Sequence, residues 1–240
     1  MEADPGHDVH VVWWRFDGTT PDRLAAFEPW LSPTEHLRMA RFRFDRDRVQ
    51  FLASRILLRH TLGAALQRPP ASLQFSTDEH GVKPRLVAAP RTAPEPESPL
   101  HFSLTHTGVL VACAFTRSGE VGLDAEAWSR PVRVEALAPR VLSPREARAV
   151  AAMPADAQPR RFLEYWTVKE AWLKATGTGL SVSPSSVEVD QEGDPMWRVR
   201  LLDACPDHAM ALVSPRRAAD GHEPDVHVEA FELPPAPDAT

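Results

Sequence analysis

Two carboxylates stand two residues apart in the segment Gly122-Leu-Asp124-Ala-Glu126. A turn signal over residues 116–119 precedes them, so the segment is expected to begin as a β-strand. Because side chains alternate along a strand, Asp124 and Glu126 share one face, with Cβ atoms roughly 6–7 Å apart. Such hard oxygen donors suit Mg²⁺, which usually keeps waters and substrate phosphates in its shell. The same spacing also occurs on exposed strands that bind no metal.

A second group of candidate residues lies on a helix predicted to begin near Arg160. Side chains at every fourth position of this helix form one slowly drifting stripe: Phe162, Trp166, Glu170 and Lys174. The Glu170 carboxylate is suited to binding a metal or taking a proton, and the Lys174 ammonium to neutralising phosphoryl charge. The alternative is an ordinary surface pair between these two residues, which stabilises a helix by only about 0.2–0.5 kcal/mol.

The basic residues are unevenly distributed along the chain. The net charge of −6 disfavours a general nucleic-acid binder. Seven arginines nevertheless fall within a stretch that has only two aspartates: Arg38, Arg41, Arg43, Arg46, Arg48, Arg55 and Arg59. A local arginine cluster on an acidic protein indicates a compact polyanion, such as a nucleotide phosphate, as its ligand. A solvated helix face explains the cluster equally well.

Three of these arginines, Arg48, Arg55 and Arg59, lie on one stripe of a predicted helix. Val49 and Ile56 belong to an apolar face beside the stripe. The helix is therefore expected to pack against its neighbour and to present the guanidinium groups at one edge.

Two further segments carry polar side chains of interest. Gly81-Val-Lys83-Pro84 puts a lysine on a turn, and Phe102-Ser-Leu-Thr105-His106-Thr-Gly108 puts a hydroxyl and an imidazole just before a buried strand. A lone histidine is more often structural than catalytic. The sequence contains no P-loop, dinucleotide-binding fingerprint, nucleophile elbow or H-E-x-x-H motif.

The sequence also repeats itself, because Leu31-Ser-Pro-Thr-Glu35 recurs as Leu142-Ser-Pro-Arg-Glu146, about 110 residues later. Each copy has Ser at a helix N-cap, Pro at the first helical position and Glu three residues after the Ser, which is typical of a capping box. A second helical pattern follows each copy, over residues 45–62 and 160–175. Strand-like segments come next, over residues 72–77, 109–115, 187–190, 197–202 and 209–213.

This repeat predicts an α+β fold with a pseudo-twofold arrangement of two similar α+β halves, residues 1–117 and 118–240. A monomer is expected, with its active site between the halves, where clefts commonly form. The proline-rich segment 87–99 is expected to be a loop, residues 214–224 a polar hairpin loop and residues 233–240 a frayed tail.

The two cysteines, Cys113 and Cys205, are too few for a disulfide framework, which favours a reducing compartment. The first residues lack the basic start and apolar core of a signal peptide. No stretch approaches the ~18 uninterrupted apolar residues of a membrane span. A cytoplasmic protein without membrane contact is therefore expected.

In their order, these segments resemble the Sfp-type 4′-phosphopantetheinyl transferases. The first three segments that carry the resemblance are Lys83-Pro84, residues 102–108 and the acidic segment 122–126. The last is the helix segment Trp166-x-x-Lys169-Glu170-Ala-x-x-Lys174, followed by Gly177-Thr-Gly-Leu180. It runs from about Leu31 to Ser186, and the combination of the acidic segment with the Trp-x-x-Lys-Glu-Ala helix is specific to that superfamily. The family's pseudo-twofold α+β fold agrees with the internal repeat.

The resemblance implies that a serine hydroxyl of an apo acyl or peptidyl carrier protein attacks the β-phosphorus of coenzyme A. Phosphopantetheine then moves to the serine and 3′,5′-ADP leaves, in a phosphoryl transfer that depends mostly on positioning and charge neutralisation. Residues 1–117 would bind the nucleotide and residues 118–240 would hold Mg²⁺ and the catalytic groups.

The same resemblance assigns individual roles. Asp124, Glu126 and Glu170 would ligate Mg²⁺, Glu170 would also be the general base, directly or through a water, and Lys174 would hold phosphate charge. The nucleotide end of coenzyme A would be bound by Arg48, Arg55, Lys83, Thr105 and His106.

The chain departs from the family pattern in places. Thr105 stands where the family often has serine, and Glu35 and Arg38 stand where some members have lysines. Two other functions remain as alternatives: a non-catalytic module that binds coenzyme A, and another Mg²⁺-dependent enzyme that cleaves pyrophosphates. The sequence does not distinguish among carriers for polyketide, nonribosomal peptide or fatty-acid synthesis.

Overall fold

Strands and helices are mixed along the chain in a computed structural model that describes residues 8–77, 84–87, 99–189, 194–217, 221 and 223–237. The strands are β1 (Val9–Arg15), β2 (Phe75–Thr77), β3 (Pro84–Leu86), β4 (His101–Thr107), β5 (Leu110–Thr116), β6 (Gly122–Ala127), β7 (Trp197–Leu201), β8 (His208–Pro215) and β9 (Val226–Ala230). The helices are α1 (Pro21–Ala25), α2 (Pro33–Ala40), α3 (Asp45–Ala65), α4 (Val134–Val141), α5 (Pro144–Ala151) and α6 (Gln158–Thr176). These elements form a first unit, Met1–Arg117 with Val226–Thr240, and a second unit, Ser118–Asp225.

The main sheet of the first unit has the strand order β4-β5-β1-β9. β5 is antiparallel to both of its neighbours, and Cys113 lies opposite Val12 on β1 and Leu104 on β4. Every residue of β5 is buried, as expected for a central strand with a continuous apolar run. The buried strand predicted over residues 109–115 is therefore confirmed with a shift of one residue, since Val109 lies in the exposed turn before it.

Helix α3 supplies much of the core of the first unit. Asp45 and Asp47 lie in its first turn, where negative charge interacts favourably with the helix dipole. In its middle, Ile56 has no exposed surface and belongs to one core cluster with Trp14 and Phe115. Burial of this apolar face, at about 25 cal/mol per Å², fixes the helix against the sheet.

The sheet of the second unit has the order β6-β8-β7 and is antiparallel throughout. Helix α6 packs on this sheet through Val168, Ala171 and Ala175, which contact Ala211 and Val213. The two alanines let the backbone of the helix approach the strands closely. This approach determines how α6 presents its polar side chains.

The two units repeat one arrangement. The order β4-β5-β1 in the first unit corresponds to β7-β8-β6 in the second. In each unit a helix that begins with a complete capping box, α2 or α5, is followed by the long helix, α3 or α6. The predicted α+β class is confirmed, and the repeat found in the sequence corresponds to a repeat of structure.

The end of the chain departs from the sequence-based division. β9 pairs in parallel with β1, so residues 226–240 belong to the first unit although the sequence grouped them with residues 118–225. The hairpin predicted around residues 214–224 is wrong, because β8 and β9 lie in different sheets. The physical reason lies in the core: the Phe231 ring packs edge-on against Trp14, with centroids 5.1 Å apart, and so draws this strand to β1.

A buried ion pair joins α2 to α3. The backbone N–H of Ser32 donates to Oε2 of Glu35 at 2.9 Å, which closes the capping box. The same oxygen accepts a hydrogen bond from Nη2 of Arg59 at 2.5 Å. Nη1 of Arg59 donates to the carbonyls of Pro70 and Leu73, each at 2.9 Å. Arg59, 1% exposed, thus connects two helices and the turn that follows them.

The second unit has the equivalent pair with a lysine. Oε2 of Glu146 accepts from the N–H of Ser143 at 2.7 Å and lies 2.7 Å from Nζ of Lys169. Nζ also donates to the carbonyls of Pro184 at 2.8 Å and Val187 at 2.6 Å. Burial lowers the pKa of Lys169, and the hydrogen bond and charge of Glu146 oppose this effect.

This pair also explains one wrong prediction. Residues 187–189 form no strand, although 187–190 have a strand-like composition. The Val187 carbonyl is directed to Lys169 and is therefore not available for a sheet ladder. Asp190 lies outside the described residues.

Within the part of the chain that the structure describes, no helix combines the length and the apolar character needed to cross a membrane. Cys113 and Cys205 are both buried free thiols. Burial raises the pKa of the Cys113 thiol far above its usual value, so this residue behaves as a small apolar side chain of β5.

Candidate active site

The acidic pair lies on β6, as the sequence predicted. The strand runs through Gly122–Ala127, so Asp124 and Glu126, two residues apart, share one face of it. Both side chains are largely withdrawn from solvent, with exposed fractions of 11% for Asp124 and 14% for Glu126. Two carboxylates so close together and so little hydrated require nearby cations.

Gly122 brings helix α6 against this strand. A Cβ atom built on Gly122 would lie 1.9 Å from the Ala171 carbonyl oxygen and 2.6 Å from the backbone nitrogen of Ala175. These are backbone atoms, which cannot turn aside as a flexible side chain can. The glycine of the acidic segment therefore sets the distance between β6 and α6, and thereby between the polar groups that the two elements carry.

Replacement of Gly122 by alanine is expected to lower the free energy of unfolding by about 1–3 kcal/mol or more. It is also expected to displace α6 from the strand. Denaturant unfolding and turnover measured on the same preparation would test this. Gly18→Ala is the matched control, because a Cβ atom there would meet nothing within 4 Å. A Gly122→Ala protein as stable and active as the parent would contradict the close approach.

Lys174 of α6 reaches across to the acidic strand. Its Nζ donates to Oδ1 of Asp124 at 2.7 Å and to the carbonyl of Leu123 at 2.9 Å. The lysine side chain is 30% exposed, so it can also meet a ligand from solvent. The predicted stripe on α6 thus does bring Lys174 to the carboxylate pair.

Glu170, one turn before Lys174, belongs to the same electrostatic cluster. Burial raises the pKa of Glu170, and the Asp124 carboxylate raises it further, whereas Lys174 and Arg130 lower it. A carboxylate with a raised pKa is better matched to taking a proton near neutral pH.

Glu126 is held by two residues that the sequence did not single out in this role. Its Oε1 forms a short ion pair with Nη1 of Arg130, and a hydrogen bond with Trp166 also stabilises the carboxylate. Burial is the largest effect on Glu126 and raises its pKa, and the charges of Asp124 and Glu170 act in the same direction. Arg130 also lies over the Trp166 ring, 5.1 Å from its centroid.

We call Asp124, Glu126 and Glu170 together the carboxylate cluster. Across the described residues, no three His, Cys, Asp or Glu side chains are grouped closely enough to hold a metal ion jointly. In the cluster, Asp124 faces Lys174 and Glu126 faces Arg130. The donor set nevertheless fits Mg²⁺, a hard cation that binds through one or two carboxylates together with substrate phosphates and waters.

The arginine stripe of the first unit is divided by the structure. Arg48 is half-exposed and bonds the carbonyl of Phe42 at 3.2 Å. Arg55 is 8% exposed, has Glu35 3.7 Å away, and burial lowers its pKa to about 10. The expectation that Arg59 is presented at the edge is wrong, because the Glu35 carboxylate draws it into the core.

The other first-unit candidates lie on β4 or outside the described residues. Thr105 and His106 are neighbours on this strand, so they point to opposite faces; Thr105 is buried and His106 exposed. Thr105 stands opposite Ala112 of β5, and His106 opposite Val111. Lys83 lies outside the residues that the structure describes.

A cavity of about 320 Å³ lies elsewhere in the second unit, between α5 and α6, and its lining includes Arg145, Arg161 and Tyr165. None of the three members of the carboxylate cluster lines it. We place the candidate site at the carboxylate cluster because charge is concentrated there, whereas the cavity brings together mutually paired groups such as Arg161 and Glu164, 2.8 Å apart.

Comparisons with known proteins show the family to which the chain belongs. A family model described as the 4′-phosphopantetheinyl transferase superfamily matches residues 120–214. A second model, described as 4′-phosphopantetheinyl transferase, N-terminal, matches residues 18–118. The first match lies within the second unit, and the second match lies in the first unit except for its last residue, Ser118.

Curated relatives are similar over most of the chain. The 4′-phosphopantetheinyl transferase HetI of Nostoc sp. is 36% identical over 176 residues, which are 72% of this chain and 70% of the relative. The 4′-phosphopantetheinyl transferase Sfp of Bacillus subtilis is 30% identical over 178 residues, or 74% of each chain. Among solved structures, Thermotoga maritima holo-[acyl-carrier-protein] synthase has a TM-score of only 0.32 at 28% identity, over 39% of this chain and 61% of that chain. On the sequence similarity, this chain belongs to the 4′-phosphopantetheinyl transferase superfamily.

Proposed function

We propose that this protein transfers the 4′-phosphopantetheine group from coenzyme A to a serine of an apo acyl or peptidyl carrier protein and releases 3′,5′-ADP. The observation that carries the proposal is the carboxylate cluster with Lys174 beside it, in a member of this superfamily. Phosphoryl transfer depends mostly on positioning and on stabilising charge, and a group of carboxylates with adjacent cations serves both purposes.

In the proposed reaction, the carrier serine Oγ forms a bond to the β-phosphorus of coenzyme A. The bond from that phosphorus to the bridging pyrophosphate oxygen breaks, and 3′,5′-ADP leaves with that oxygen. The serine proton passes to the Glu170 carboxylate, directly or through a water. The raised pKa of Glu170, caused by its burial and by Asp124, supports this role as general base.

Lys174 would hold the negative charge that develops on the phosphoryl oxygens. Its ammonium already lies 2.7 Å from Asp124 and remains 30% exposed, so it can donate to a phosphate without leaving the cluster. Asp124, Glu126 and Glu170 would hold Mg²⁺, which when bound neutralises charge on the pyrophosphate.

Side chains of the first unit would bind the nucleotide end of coenzyme A. Exposure supports Arg48 and His106 most directly, since both reach solvent, whereas Arg55 and Thr105 are buried and would need a ligand that approaches closely. Lys83 is retained in this set on the sequence resemblance alone.

The test is incubation of the protein with Mg²⁺, coenzyme A and a panel of apo acyl and peptidyl carrier proteins, followed by mass spectrometry of each carrier. We expect a gain equal to one phosphopantetheine group on the carrier serine, and none when that serine is replaced by alanine. No gain across the panel, with coenzyme A still bound, would favour a non-catalytic binding module. Release of free phosphopantetheine without a carrier would instead favour a pyrophosphate-cleaving enzyme.

The proposal includes a monomer that acts in the cytoplasm. The buried, unpaired thiols of Cys113 and Cys205 support a reducing compartment.

A further inference from the structure

Arg130 lies beside the carboxylate cluster, next to Glu126. It follows β6 by three residues, and its guanidinium forms an ion pair with Glu126. The arginine side chain is 40% exposed, whereas that of Glu126 is 14% exposed. The cation therefore lies on the solvent side of the carboxylate that it neutralises.

The charges around Arg130 make this position more than a surface pair. Its charge acts on Glu170 as well as on Glu126. Asp124, the third carboxylate of the cluster, has its own cation in Lys174, which is anchored by the Leu123 carbonyl. Arg130 is thus the cation paired with Glu126, whereas Lys174 is the cation paired with Asp124.

The Arg130 guanidinium also contacts a second group in the same site. Arg130 stands over the face of Trp166, 5.1 Å from the ring centroid, and a cation is attracted to such a face by about 0.5–1 kcal/mol at an exposed position. If Arg130 releases Glu126, it can therefore remain in contact with the aromatic ring. The Arg130 guanidinium therefore has two alternative partners, the Glu126 carboxylate and the Trp166 ring.

We infer that Arg130 is an exchangeable counter-cation, which occupies Glu126 when no metal is bound, must give it up when a divalent cation enters, and so sets the metal affinity of the site. The inference rests on the metal role given to the carboxylate cluster in the proposed function. A guanidinium and a divalent cation on the same carboxylate repel each other as like charges at short distance.

If Arg130 had a positioning role instead, its removal would change the metal affinity in the opposite direction. If Arg130 merely positions Glu126, its removal leaves the carboxylate disordered and weakens metal binding. If Arg130 competes with the metal, its removal strengthens binding. The direction of the change in affinity therefore decides between the two.

The experiment titrates Mn²⁺, an oxygen-seeking octahedral substitute for Mg²⁺, into the intact protein without coenzyme A or carrier. Free Mn²⁺ is counted by electron paramagnetic resonance. We expect Arg130→Gln to bind Mn²⁺ about two- to fivefold more tightly than the parent, the range of a partly exposed ion pair, and Arg130→Lys to stay near the parent value. Arg160→Gln is the matched control, because Arg160 lies over Trp128 and pairs with Glu164 instead.

Equal or weaker Mn²⁺ binding by Arg130→Gln, in a protein whose thermal unfolding is unchanged, overturns the inference. Absence of Mn²⁺ binding in the parent also overturns it. Failure of the proposed function would give a different result. In that case Mn²⁺ binds, but no carrier protein gains the mass of a phosphopantetheine group.

Discussion

Replacing Lys169 with methionine is expected to lower the free energy of unfolding of the second unit by about 3–5 kcal/mol, the cost of removing one partner from a buried ion pair. Lys169 is 1% exposed, and its Nζ serves Glu146 and the carbonyls of Pro184 and Val187. Methionine fills much of the volume but donates no hydrogen bond. The Glu146 carboxylate and both carbonyls would then be buried without this donor.

Chemical denaturation followed by circular dichroism measures this loss. Lys169→Arg is the conservative variant, because Arg59 makes the same three contacts in the first unit, to Glu35, Pro70 and Leu73. It should recover most of the stability. If Lys169→Met instead unfolds at the same denaturant concentration as the parent, the ion pair contributes nothing that methionine does not, and its structural role is refuted.

Replacing Glu170 with glutamine is expected to reduce phosphopantetheine transfer by about 10²–10⁴-fold, the usual contribution of a general base. Glutamine keeps the shape of the side chain but cannot accept the serine proton. Stability should hold or rise slightly, because burial and the Asp124 charge already disfavour the ionised form of Glu170. Turnover on a carrier and thermal unfolding of the same sample would separate the two effects.

Glu164→Gln is the control for this substitution. Glu164 lies on the same helix and pairs with Arg161 at 2.8 Å, outside the carboxylate cluster, so its loss should leave transfer unchanged. Transfer by Glu170→Gln at the rate of the parent would exclude Glu170 as the base. A loss of activity that follows a comparable loss of folded protein would point to a structural role instead.

Most of the carboxylate cluster could be predicted from the sequence because its residues follow simple periodicities. Asp124 and Glu126 are two apart on a strand, and Glu170 and Lys174 are four apart on a helix, so each pair shares a face by geometry alone. That the helix lies beside the strand depends on Gly122, whose role is visible only when the backbone atoms of Ala171 and Ala175 are in place.

Arg130 and Lys169 could not be assigned by such reasoning. Arg130 follows the end of β6 and belongs to no periodic pattern, so nothing in the sequence connects it with Glu126. Lys169 adjoins Glu170 on α6 but lies about 100° around the helix, on the buried side. The signal that could have revealed it is the repeat itself: Lys169 stands 26 residues after the N-cap Ser143, and Arg59 stands 27 after Ser32.

The arginine stripe of the first unit shows that residue spacing alone does not predict which helix face is buried. Spacing places Arg55 and Arg59 on one side of α3, but it does not say whether that side meets water or protein. The decisive residue is Glu35, which the sequence identified as part of a capping box and as a departure from the family pattern. Its carboxylate also receives Arg59 and lies near Arg55, which turns a predicted surface stripe into an interior contact.

The parallel pairing of β9 with β1 has a consequence for how the protein is made. During synthesis, residues 9–15 leave the ribosome more than two hundred residues before their partner strand at 226–230. Until then one edge of β1 lacks the strand that covers it, and open strand edges are places where nascent chains pair wrongly. The second unit, contiguous over 118–225, can assemble in that interval. The unit that is translated first is therefore the one completed last.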